Sequence, residues 1–160
     1  MHSRIERLLA EDEPSPVAID RPDGTSPLFL TCDHAARRIP RRLGRLGLDA
    51  PDLDRHIASD IGIEAVSRQV GEAVDATLIR QAYSRLVIDC NRPLDAASSI
   101  PTISEATEIP GNARLGAADR QARVDEIFVP YHAAIATALD ERARIQRPTL
   151  LVAMHSFTPV

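Results

Sequence analysis

The chain has 160 residues, 44% of them hydrophobic, which suits one compact domain with a core and excludes a disordered polypeptide. Its formal net charge is −4 and all 19 basic residues are arginine. A mildly acidic chain lacks the positive field of a protein that holds nucleic acid through phosphate contacts, and no apolar run approaches the roughly 20 residues that span a bilayer. We therefore expect a soluble cytoplasmic protein with neither nucleic acid nor membrane as a partner.

Residues 1–27 begin with a short amphipathic stretch and continue with Pro, Asp and Glu. They read as an irregular lead into a single α/β domain over 28–160. The first strand is predicted at 28–32, an apolar run that leads directly into Asp33 and His34. Over 53–74, Ile57, Ile61, Ala65, Val66, Val70 and Val74 recur at helical spacing, so an amphipathic helix is expected there, interrupted near Gly62. Residues 77–81 and 85–90 read as two strands, the second delivering Asn91 and Arg92 at its end. Cys32 and Cys90 fall at predicted strand ends and read as buried, reduced thiols.

Residues 93–116 have no periodicity and contain Pro93, Pro101 and Pro110. An aperiodic segment of this length inside a compact domain is usually functional or disordered, and we read it as a loop over the site. The helical pattern returns over 117–146, where Pro130 is expected to kink it. The stretch 149–157 reads as a final buried strand that ends in His155 and Ser156. The order strand, helix, strands, helix, strand predicts an α/β fold with a mixed, largely parallel sheet. In open α/β sheets, ligands bind outside the carboxyl ends of the strands, so three polar tips imply one shared site.

His34, Asp60 and His155 form the leading metal-binding set. Zinc accepts imidazole nitrogen and carboxylate oxygen, and catalytic zinc uses three protein ligands with one open position. Asp33 and His56 compete with Asp60 for the third place. Asp33 adjoins His34, and His56 lies one helical turn before Asp60 if that segment is helical. Arg85, Asn91 and Arg92 are the candidate substrate-binding residues. The planar guanidinium fork engages carboxylates, so a small anionic substrate is the expected partner. Asp33 and His132 are the candidate catalytic groups; for His132 the competing reading is packing on its helix. Arg37, Arg38, Arg41, Arg42 and Arg45 read as a solvated helix face. The composition is compatible with a homo-oligomer.

Cys-Asp-His-Ala at 32–35, His-Ile-Ala-Ser-Asp-Ile-Gly at 56–62, Tyr-Ser-Arg-Leu-Val-Ile-Asp-Cys-Asn-Arg-Pro at 83–93 and His-Ser-Phe-Thr-Pro at 155–159 occur in this order. Together they resemble the N-formylglutamate amidohydrolase family, as do Ile-Pro-Gly-Asn at 109–112 and Pro-Tyr-His at 130–132. The resemblance implies a three-layer fold of the phosphorylase/hydrolase-like kind. It also implies a Zn(2+)-dependent hydrolase of N-formyl-L-glutamate, or a related N-acyl amino acid, releasing formate in histidine breakdown. By position His34 and His155 look like metal ligands, with Asp60 as the carboxylate ligand by analogy with zinc amidases of similar topology. Family members continue past the last motif with further strands and a glutamate expected to act as general base, so the resemblance implies a fold incomplete at the C-terminus, the N-terminal part of a longer domain, with the source of the general base open. The alternatives from other classes are a non-catalytic module for an anionic ligand and a zinc amidase acting on peptidoglycan.

Overall fold

The computed structural model describes residues 7–158. The start of the N-terminal amphipathic stretch and Pro159 of the last motif lie outside the described residues. In chain order the elements that frame the fold are β1 (Val17–Asp20), β2 (Leu28–Cys32), α1 (Ala50–Leu53), α2 (Ile63–Ala73) and β3 (Thr77–Gln81). They are followed by β4 (Ile103–Ser104), β5 (Thr107–Glu108), α3 (Pro110–Ala113), α4 (Ala117–Arg123), α5 (Val129–Arg144) and β6 (Leu150–Ala153).

The main sheet has the order β1-β3-β2-β6. β2 runs parallel to both β3 and β6, while β1 closes one edge antiparallel to β3. Successive side chains of a strand point to opposite faces, and the core divides accordingly. Leu30 and Cys32 of β2 pack with Leu78, Ile63 and Ala76 on the α2 side. Phe29 and Ile79 pack on the other face with Ile127, Tyr131 and Leu86. Helices on both faces of a mostly parallel sheet give the expected three-layer α/β fold. Cys32 and Cys90 are buried free thiols, and burial pushes them up to about 11 and about 12 respectively.

Four local expectations are corrected. The lead over 1–27 contains strand β1, where Val17 and Ile19 supply β-branched residues and β3 offers a free edge. Residues 85–90 are a set of turns, because their backbone groups are taken by distant partners and not by a neighbouring strand. Asn112 Nδ2 donates to the Leu86 carbonyl at 2.8 Å, Arg123 Nη1 to the Val87 carbonyl at 2.8 Å, and Asp89 N to the Ser99 carbonyl at 2.7 Å. Residues 54–62 are likewise turns, and the helix begins only at Ile63 after Gly62, whose φ is 76°. Residues 93–116 fold into a 3₁₀ turn, the β4–β5 hairpin and α3 rather than a structureless loop.

Ahead of Pro130, residues Val124–Phe128 are wound as a π turn. Val129 N donates to the Val124 carbonyl, a wider ring than the α pattern, and the chain then continues as α5 through the proline.

Asp75, at φ 55°, joins the α2–β3 turn to the segment before β2. Its carboxylate accepts from Thr25 N at 2.9 Å and Thr25 Oγ1 at 2.6 Å, and it pairs with Arg21. The Thr25 hydroxyl and then the Arg21 guanidinium hold this carboxyl well below the usual range. A depressed carboxyl contributes stability that is complete above its unfolded value, about 3.9, and is lost as pH falls through the folded value. The urea midpoint of Asp75→Asn should therefore lie below that of wild type at neutral pH, and the gap should close progressively below about pH 4. A gap independent of pH would overturn this assignment.

Candidate metal centre

Two strand ends and one turn build the site. Asp33 and His34 follow the last residue of β2, and Met154 N donates to the Thr31 carbonyl at 2.8 Å, which carries the β2–β6 ladder up to the tip where His155 emerges. Asp60 is drawn in from the turn before α2 because its own N–H donates to the His34 carbonyl at 3.0 Å. Ser156 completes the closure: its N–H donates to Asp60 Oδ2 at 3.2 Å and its hydroxyl to the Ile61 carbonyl at 2.8 Å.

His34, Asp60 and His155 each offer one ligand atom within 4.8 Å of the others, a group that could hold a metal ion. Asp60 stands between the two imidazoles, with Oδ1 at 3.4 Å from His34 Nδ1 and Oδ2 at 3.0 Å from His155 Nδ1. His34 is 3% exposed, and its Nδ1 is buried without a hydrogen-bond partner among the described residues; the 3.4 Å approach of Asp60 is an ion-pair contact only. A buried ring nitrogen without a hydrogen-bond partner, facing a carboxylate and a second imidazole, is a donor set that could hold a metal ion.

The electrostatics agree with a crowded anionic cradle. Burial alone would push the His34 pKa down, but the carboxylates of Asp60 and Asp89 outweigh it and leave it raised. Burial would push Asp60 and Asp89 up, yet the His34 imidazole holds both below the ordinary carboxylate range.

The remaining expected site residues fall in different places. Asp33 is behind His155, with Oδ2 at 3.4 Å from Nε2, while its Oδ1 accepts from the Tyr131 hydroxyl at 2.7 Å. His56 lies on the cavity wall, paired with Glu105 at 2.5 Å and not grouped with Asp60. Arg85 is committed to acids: Nη2 is 2.9 Å from Asp89 and Nη1 is 3.6 Å from Asp60. Asn91 and Arg92 are exposed on a cavity of about 460 Å³ that also has His34, Asp60, Arg85 and His155 in its walls. His132 stands apart from this cavity; its Nε2 donates to the Cys90 carbonyl at 3.0 Å and its ring packs against Phe128 and Tyr131.

Asp89 and Tyr131 are the residues that sequence reasoning did not place at the site. Asp89 accepts from His34 Nε2 at 2.7 Å and from Asn91 N at 2.9 Å. Its signal was present as a lone acid closing the apolar run Leu86-Val87-Ile88. Tyr131 carried no comparable mark. A larger hollow of about 630 Å³ lies on the other side of Asp60, but no histidine faces it and Arg37, Arg38 and Arg80 there are balanced by Asp54, Asp60 and Glu64. The smaller cavity, with both histidines, is the one suited to chemistry.

The sequence model of a family described as N-formylglutamate amidohydrolase matches residues 26–160. The fold is similar to the crystal structure of a gene product from Agrobacterium tumefaciens, with a TM-score of 0.94 and 40% identity, over 96% of this chain and 61% of that one. It is also similar in fold to an N-formylglutamate amidohydrolase from Ralstonia eutropha JMP134, with a TM-score of 0.66 and 23% identity, over 90% of this chain and 58% of that one. The chain thus spans about three-fifths of the length of these structures. Among curated proteins none matches the chain.

Proposed function

The chain belongs to the N-formylglutamate amidohydrolase family, and on that premise we propose that it carries the zinc-holding and substrate-positioning part of a hydrolase cleaving N-formyl-L-glutamate, or a close N-acyl relative, to formate and the amino acid. The observation that carries this reading is the convergence of His34, Asp60 and His155 around the partnerless, buried His34 Nδ1. Imidazole, carboxylate and imidazole are a donor set that suits catalytic zinc with an open position. When bound, zinc would polarise the formyl carbonyl and acidify a water molecule.

The chain's own side chains orient the reactants. Arg92 has no ion-pair partner among the described residues and, with Asn91, borders the cavity, so its guanidinium is available to a substrate carboxylate. Arg85 holds Asp89 and approaches Asp60, leaving its role toward substrate indirect. A fixed carboxylate contact places the scissile carbon beside the metal centre, a positioning contribution.

The test is zinc content by elemental analysis together with formate release from N-formyl-L-glutamate. About one zinc per chain and formate release abolished by chelation support the reading. Activity that persists in demonstrably metal-free protein sinks it. Zinc without formate release would retain the metal centre and reduce the chain to a binding module.

A further inference from the structure

Each of the two histidines has a buried carboxylate at its outer nitrogen. His34 Nε2 meets Asp89 Oδ1 at 2.7 Å, and His155 Nε2 meets Asp33 Oδ2 at 3.4 Å. The inner nitrogens of both rings, Nδ1 in each case, converge on Asp60. Both outer carboxylates are themselves fixed from outside the centre: Asp89 by Arg85 Nη2 and the Asn91 N–H, Asp33 by the hydroxyl of fully buried Tyr131.

We propose that Asp89 is a positioning carboxylate that compels His34 to bind metal through Nδ1. The inference rests on the zinc centre proposed above and goes beyond it by assigning the ligating atom of His34 and the group that selects it. An ionised carboxylate only accepts hydrogen bonds, so the ring nitrogen facing it must carry the proton. In a neutral imidazole the proton on Nε2 leaves the Nδ1 lone pair free, and that lone pair points at the cradle. His155 is not constrained in this way, because its Nε2 is 3.4 Å from Asp33 without a hydrogen bond while its Nδ1 hydrogen-bonds Asp60 Oδ2 at 3.0 Å.

Asp89→Asn is the discriminating substitution. Arg85 Nη2 bonds Oδ2 of Asp89, whereas the Asn91 N–H and His34 Nε2 share Oδ1, so the single oxygen of an introduced amide cannot serve both sides, and its NH₂ opposes a donor in either orientation. Either orientation weakens the hold on the Nε2–H tautomer, because the charged acceptor is gone. Zinc affinity, measured by competition with a chromophoric chelator, should fall about 10–100-fold. Asp33→Asn should lose less.

The decisive readout requires no variant. Long-range proton–nitrogen spectra of ¹⁵N-histidine-labelled wild type loaded with zinc identify the bound nitrogen of each ring. Nδ1 ligation by His34 is expected; Nε2 ligation by that ring overturns the proposal, as does unchanged zinc affinity in folded Asp89→Asn. If wild type binds no zinc, the metal reading falls separately. The metal-free His34 ring, recorded where it is neutral, then decides the positioning claim: a proton on Nε2 supports it, and a proton on Nδ1 overturns it.

Discussion

His34→Ala should hold zinc more than about 100-fold more weakly than wild type, a larger loss than the 10–100-fold typical of removing an outer partner. Catalytic zinc needs three protein ligands, and the substitution leaves Asp60 and His155 alone. The variant also loses the group that holds two buried carboxylates low: Asp60 is 8% exposed and Asp89 2%, and each depends on the His34 imidazole for its depressed pKa. Part of the damage should therefore appear as lower stability even without metal. His155→Ala removes a ligand from a half-buried position and spares Asp89, so it should lose zinc with a smaller stability penalty. Elemental analysis and chelator competition on both variants check this pair. One tightly held zinc per chain in either variant would remove that histidine from the centre.

Asn112→Leu should cost about 3–5 kcal/mol of unfolding free energy, although the residue touches neither histidine. Its amide donates at 2.8 Å to both the Leu86 and Pro101 carbonyls, and its oxygen accepts from Arg123 Nη1 at 2.7 Å. Leucine leaves two carbonyls and a guanidinium hydrogen unsatisfied at a site 4% exposed, and each such group costs about 1–3 kcal/mol. Arg123 worsens the case. It is fully buried, burial pushes its pKa down to about 10, and its Nε and Nη2 have no hydrogen-bond partner among the described residues. Combining Asn112→Leu with Arg123→Met removes the stranded charge, so the double variant should be less destabilised than the sum of the single changes. Urea midpoints of the four proteins give the cycle. A single-variant loss under about 1 kcal/mol would mean that this junction carries little of the fold.

The parts of the molecule that were legible in the sequence are those where local pattern and tertiary context agree. β2, β3 and β6 could be read because their apolar runs are of strand length and bounded by polar residues. His34 and His155 could be read because a polar pair closes an apolar run, although the run before His155 forms a largely exposed strand and not the buried one expected. The stretch 85–90 misled for a physical reason: Leu86-Val87-Ile88 looks like a strand, but its apolar character serves burial within a turn whose carbonyls are satisfied by Asn112 and Arg123. Such long-range side-chain partners leave no periodicity in the sequence. The same holds for Asp89 and Tyr131, whose placement behind the histidines depends on how α5 and the turn meet. β1 was missed because a four-residue edge strand beside prolines presents too little pattern to separate it from a lead.

Among the described residues β6 has a single neighbouring strand, and Leu150 and Leu151 on its two faces are 60% and 51% exposed. Within the described residues, one of the two histidines of the centre is therefore borne by an edge strand with exposed leucines. Local opening draws first on segments with few buried contacts, so transient fraying of β6 would separate His155 from Asp60 while His34 remains seated on β2. A cation bridging the two would have to offset that fraying and would tether the last strand to the core. Affinity at the centre and hydrogen-exchange protection of β6 are thus two measures of one equilibrium.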